Sequence, residues 1–160
     1  MLYFKVLGGT SIFLSAAIFY FESKRYERAK IRQADAFISL LRYIKKQIEC
    51  FSAPISTIID RCDKNILENC GIWTSCEQDS LGEVIGKCDF CIDEEAIDTL
   101  KKFGEEFGKT YREDQLRSCD YYISELVKYK EKLAQEIPKE QKMRLAVCFC
   151  LSGSIILLFI

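Results

Sequence analysis

Apolar residues crowd both ends of this chain, and charged residues fill the middle. From Leu2 to Phe21 the only charge is Lys5, and from Leu145 to Ile160 there is none. Crossing about 30 Å of hydrocarbon takes roughly 20 apolar residues in a helix that rises about 1.5 Å per residue. The first stretch meets that length. The last falls a few residues short, but starting it at Met143, with Lys142 and Arg144 reaching to the headgroups, recovers part of the deficit. Local thinning of the bilayer absorbs the rest.

Between the ends, apolar positions recur at helical spacing. Phe37, Leu41, Ile44, Ile48 and Phe51 repeat in steps of four and three, which predicts one apolar face on a helix that continues from the first apolar stretch. Ser52, a good cap, with Pro54 just behind it, marks a break and a new start. A short second helix carrying Ile55, Ile58, Ile59 and Cys62 ends by Gly71. From Ile72 to Cys91 the pattern is weakest; Trp73, Leu81, Val84 and Ile85 make a third helix interrupted by Gly82 and Gly86, each costing up to about 1 kcal/mol in a helix interior.

The periodicity then returns. Asp93 is placed to cap a helix whose first turn holds Glu94 and Glu95, and whose stripe of Ile97, Leu100, Phe103 and Phe107 closes at Gly108. From about Arg112 onward Leu116, Cys119, Ile123, Leu126, Leu133 and Ile137 recur with near-heptad spacing, as in a long antiparallel hairpin or coiled coil, until Pro138 kinks or interrupts the helix. The fold class expected is all-α. It is an antiparallel helical bundle over residues 23–142, whose first and last helices continue into transmembrane segments at 1–22 and 143–160.

Charge gives the orientation. Lys24, Arg25, Arg28, Lys30 and Arg32 follow the first apolar stretch, and Lys139, Lys142 and Arg144 precede or open the last. With both inner flanks basic, the middle region is expected in the cytosol and both termini across the membrane. The competing reading of the first stretch is a cleaved secretory signal with Ser15-Ala16-Ala17 as its small residues. It is disfavoured because the apolar run continues through Phe21 and the positive charge follows the run. The 160 residues less both anchors leave roughly 120, enough for one modest core. A net charge of -1 argues against a nucleic-acid partner. The basic residues collect next to the membrane, while Asp and Glu dominate from Glu77 to Glu106, a layout suited to anionic headgroups as well as to topology alone.

Three features bear on chemistry. Of nine cysteines, only Cys88-Asp89-Phe90-Cys91 has metal-ligand spacing. A structural zinc site needs a second pair or a histidine, and the chain has no His. Cys50, Cys62, Cys70, Cys76 and Cys119 stand at irregular intervals, and a cytosolic domain keeps its thiols reduced. They read as small core residues, and no metal or cofactor is expected. The string Gly104-Glu105-Glu106-Phe107-Gly108-Lys109-Thr110 looks like a P-loop but is one residue short, and it ends an amphipathic helix where a P-loop follows a strand. Its better reading is structural: Gly104 admits a neighbouring helix, and Gly108 takes a left-handed cap. No nucleophile and base stand out, so no catalytic residues are assigned. Glu27, Glu49, Asp114, Glu125 and Glu131 read as solvated helix faces.

The string Phe103-Gly104-Glu105-Glu106-Phe107-Gly108 followed by Arg112-Glu113-Asp114-Gln115-Leu116-Arg117-Ser118-Cys119 resembles the FGxxLG and DREGQLRxC pair of the stage III sporulation protein AB family. The stretch from Glu27-Arg28-Ala29-Lys30-Ile31-Arg32 to Ala53-Pro54-Ile55 is similar to that family's juxtamembrane helix and its break before a proline. Tyr111, Asp114 and the cysteine-rich middle depart from the pattern. The resemblance implies a component of the secretion-like channel that endospore formers build between mother cell and forespore. It also implies likeness to the cytoplasmic domains of F-type platform proteins of type II secretion. The implied partners are a secretion-type ATPase and other membrane proteins of the channel, at the mother-cell membrane around the forespore, with no small-molecule substrate. The expected function is therefore a non-enzymatic platform or adaptor. The alternative is a membrane-bound regulator in which the CxxC and the acidic middle respond to redox state or ions.

Overall fold

A computed structural model of the chain describes residues 2–51, 55–72, 81–87 and 90–159; within its helices the side chains of 2–7, 9–10, 12–13, 55–56, 60, 84, 86–87, 151–152 and 155–159 lie outside the description. Among the described residues six helices follow one another: α1 (Leu2–Cys50), α2 (Ile55–Asp60), α3 (Lys64–Cys70), α4 (Leu81–Lys87), α5 (Glu94–Glu106) and α6 (Arg112–Phe159). Among the described residues the structure is all-helical, consistent with the expected helical bundle. Two compact units emerge, Ala29–Lys132 and Met1–Arg28 with Leu133–Ile160.

In the unit Ala29–Lys132 the predicted stripe of α1 is the centre of the core. Phe37, Leu41, Ile44 and Ile48 are buried, and Leu40 joins them. Phe51 does not: α1 ends one residue before it, and its ring is exposed. Leu100 and Phe103 of α5 and Cys119, Tyr122 and Leu126 of α6 share the same core, with Phe103 set edge-on to Tyr122 at 5.5 Å between ring centroids. Burying one such side chain contributes roughly 1.5–3 kcal/mol. Ile58 and Ile59 of α2, Cys70 of α3, and Leu81 and Ile85 of α4 complete the same core.

The middle departs from expectation. The single second helix is two: α2 stops at Asp60, and Asp63 starts α3 by accepting the Asn65 N–H at 2.9 Å. Gly71 ends α3 at φ +83, with the Ile72 N–H returning to the Leu67 carbonyl at 3.0 Å, so the predicted stop at Gly71 holds. The expected interruptions at Gly82 and Gly86 do not occur, because α4 runs through both, and Gly82 lies against Lys101 and Glu105 of α5. Ser52, Pro54, Trp73 and Cys76 lie outside the described residues, as do Cys88 and Asp89. Pro138 lies inside α6 without interrupting it.

In the other unit, the two helical stretches turn apolar side chains outward: Leu14, Ile18, Phe19, Phe21, Val147 and Phe149 are each half or more exposed. Among the described residues no helix is long and apolar enough to cross a membrane.

Candidate functional site

A close glycine crossing, a left-handed turn and a bonded arginine shape the corner from α5 into α6. It contains both motif strings. α5 and α4 cross at a pair of glycines: a Cβ on Gly104 would fall 2.4 Å from the Gly82 nitrogen. Two residues past the end of α5, Gly108 turns the chain at φ +82, where an L side chain would be strained. The role expected of Gly104 is therefore met, and Gly108 is left-handed as expected, but the cap of α5 is the extended Phe107 one residue earlier. Lys109 and Thr110 are exposed after the helix, and the Thr110 carbonyl accepts from the Gln115 amide at 2.7 Å, so the P-loop-like string serves as a turn.

Arg112, the first residue of α6, then reaches the far end of α1. Its Nε donates to the Ile48 carbonyl at 3.0 Å, and its Nη2 donates to the Glu49 carbonyl. Carbonyls in a helix's last turn have no partner within the helix, and a cation there also complements the negative helix end. Eight residues further along α6, Asp120 pairs with Lys45 of α1 at 2.6 Å. Cys119 between them is fully buried, its thiol pushed up to about 11, mainly by burial. Tyr122 donates to Glu106 at 3.0 Å, and burial followed by that carboxylate pushes its phenol up to about 12. The motif pair thus clasps α1, α5 and α6 together. Exposed beside the clasp remain Phe51 and Tyr111.

Two polar centres fasten the same unit elsewhere. Gln33 sits four residues before Phe37, on the apolar stripe, and is buried. Its Nε2 donates to the Cys70 carbonyl at 2.9 Å, while its Oε1 accepts from the Cys91 and Ile92 N–H groups at 2.7 and 3.2 Å. A polar residue at the buried phase of a helix was the available signal. Asp93 occupies the cap position of α5, but its side chain makes no cap bond. The carboxylate instead pairs with Lys30 and accepts from Tyr129 at 2.9 Å. Burial pushes the Asp93 carboxyl up, yet Lys30 and Tyr129 outweigh it and hold it below its ordinary value.

Glu27 corrects the reading of the charged positions. Glu49, Asp114 and Glu131 are exposed and Glu125 pairs with Lys128 at 2.7 Å, but Glu27 is 5% exposed. Its Oε2 accepts from Gln141 at 2.6 Å; its Oε1 lies 3.1 Å from Arg144 Nη1, an ion pair without the alignment of a hydrogen bond. Arg144 also reaches Ser23 and Glu140. Arg144, expected to reach the headgroups, is held by these bonds within the unit with its side chain 43% exposed.

The described cysteines of the core are chemically quiet. Burial pushes Cys62 up, and Cys70 up to about 12, so both are neutral thiols at physiological pH. Cys91 is half-buried, and no group of three or more metal-ligating side chains occurs among the described residues.

A family model described as stage III sporulation protein AB matches residues 5–160. No curated protein and no solved structure matches the chain.

Proposed function

The chain belongs to the stage III sporulation protein AB family, a membership that supports a role in sporulation, and from that premise we propose that it is a non-enzymatic membrane platform. It acts within the secretion-like complex between mother cell and forespore, coupling a cytosolic secretion-type ATPase to membrane components. One observation carries this reading. The conspicuous residues of the motif pair hold helix ends together, and beside them Tyr111 and Phe51 present large aromatic surface to solvent, 87% and 58% exposed. Aromatic residues are enriched where proteins meet.

The two apolar ends anchor the platform in the mother-cell membrane around the forespore, with residues 23–142 in the cytosol. Support comes from the basic inner flanks and from the apolar side chains turned outward in the unit that contains both ends. The test is photocrosslinking in sporulating cells from positions 51 and 111, with exposed Asp98 as the comparison position. Adducts with the secretion-type ATPase from 51 or 111, and not from 98, are expected. Adducts from 98 alone would place the contact on α5, and failure to capture any channel component from all three would refute the platform.

A further inference from the structure

We propose that the paired apolar ends form a binding groove for an anionic phospholipid, with an acyl chain between the helices and the headgroup on Lys24, Arg28 and Lys142. The inference rests on the membrane reading above. A groove of about 120 Å³ runs between the helices, lined by Ala17, Tyr20 and Phe21 of α1 and Leu145, Cys148 and Phe149 of α6, and its walls are almost wholly apolar. The small side chain of Ala17 leaves the space, and the aromatic rings border it.

Both walls change character together. On α1, positions 17, 21, 24 and 28 follow in steps of four, three and four, and on α6 positions 149, 145 and 142 step back by four and three. Residues so spaced share one helix face, with about 5.4 Å per turn. Each apolar wall therefore leads within a turn to a cation: Lys24 and then Arg28 on one helix, Lys142 on the other. Charge pairing leaves these cations available. Glu22 pairs with Arg25, while Glu27 and Glu140 both pair with Arg144. Among the described residues no carboxylate pairs with Lys24, Arg28 or Lys142.

This arrangement matches a lipid with a negative headgroup. A zwitterionic headgroup brings its own ammonium, which three unpaired cations repel; an anionic headgroup brings net negative charge to the same place. A partner's membrane helix could cover the apolar walls but would leave the cations without a counter-charge.

The test uses the full-length chain with Trp73→Phe and Phe149→Trp, which leaves one tryptophan, on the groove wall. It is reconstituted into phosphatidylcholine vesicles containing brominated phosphatidylglycerol or, at equal mole fraction, brominated phosphatidylcholine. The anionic lipid is expected to quench residue 149 with about fivefold higher relative association, the preference expected from one or more cations at the surface. Lys24→Gln with Lys142→Gln should bring the ratio near one, whereas Lys24→Arg with Lys142→Arg should keep it. Equal quenching by the two lipids, or a preference that survives the glutamine pair, overturns the proposal. So does loss of the preference to soluble glycerol phosphate at matched ionic strength, which would identify a free-phosphate site. Absence of quenching by either lipid instead refutes the membrane reading itself.

Discussion

Gly104→Ala replaces a hydrogen with a methyl group at the crossing of α4 and α5, and that carbon meets backbone. It would lie 2.4 Å from the Gly82 nitrogen, 2.6 Å from the Gly82 Cα and 2.9 Å from the Leu81 carbonyl carbon. Comfortable contact between carbons is about 3.5–4.0 Å, so α4 must withdraw by about 1 Å. The obstacles are backbone atoms, and no side chain can swing aside. Overpacking of this kind costs on the order of 1–3 kcal/mol, against a gain of about 1 kcal/mol for replacing glycine inside a helix. If α4 lifted off altogether, exposing Leu81 and Ile85 would cost about 3–6 kcal/mol, which sets the ceiling. With three backbone contacts under 3.0 Å the cost sits at the upper end of that range, and a net loss of about 2 kcal/mol is expected. Urea unfolding of the full-length protein in detergent, followed by circular dichroism, should show a midpoint lower by about 1 M. Gly82→Ala should be milder, because its new atom meets neighbours at 3.3 Å. Gly108→Ala meets nothing within 4 Å and loses only the roughly 1–2 kcal/mol of a left-handed backbone. An unchanged or raised midpoint for Gly104→Ala would refute the close crossing.

Three further outcomes follow from the same structure. Arg112→Ala should lower stability by roughly 1–2 kcal/mol in thermal unfolding, the worth of charge-assisted bonds reduced by solvent exposure, and Arg112→Lys should recover less than half, because a point charge cannot replace the forked guanidinium. In alkali the protein should weaken between about pH 9 and 12: the Cys70, Cys119 and Tyr122 protons are held more tightly folded than unfolded, so the stability they contribute is complete below their ordinary values and fades as pH rises through the folded ones. A flat pH profile over that range would contradict their burial. A membrane-impermeant maleimide should label exposed Cys50 in permeabilised but not intact cells, and should reach buried Cys70 and Cys119 only after denaturation; labelling of Cys50 in intact cells would reverse the orientation.

What could be read from the chain was whatever repeats locally. The stripes of α1 and α5 were legible because four residues at helical period face one way, and the glycine turn at 108 was legible because it follows the last of them. What escaped depended on distant partners. Nothing near Arg112 says that it will meet the carbonyls of Ile48 and Glu49, and nothing near Glu27 announces Gln141 or Arg144, more than a hundred residues on. Phe51 fits the stripe in phase but lies past the helix end, so periodicity alone buried it wrongly. Asp93 has the right residue type for a cap, yet Lys30 and Tyr129 offer its carboxylate better partners. The separate start of α3 rests on one aspartate in an ordinary polar run, a signal too short to outweigh the apolar spacing around it.

Gln33 has a practical consequence for the gene. One amide holds the Cys70 carbonyl and the Cys91 and Ile92 N–H groups, so both ends of the intervening chain are fastened to the same point on α1. Codons added between Ile72 and Leu81 then lengthen a segment whose fastened ends at Cys70 and Cys91 stay put, and each doubling of the length closed between two fixed points costs only about 0.6 kcal/mol. That interval is where a fluorescent reporter or an affinity tag can be carried inside the protein, leaving both apolar ends and the exposed aromatics at Phe51 and Tyr111 untouched.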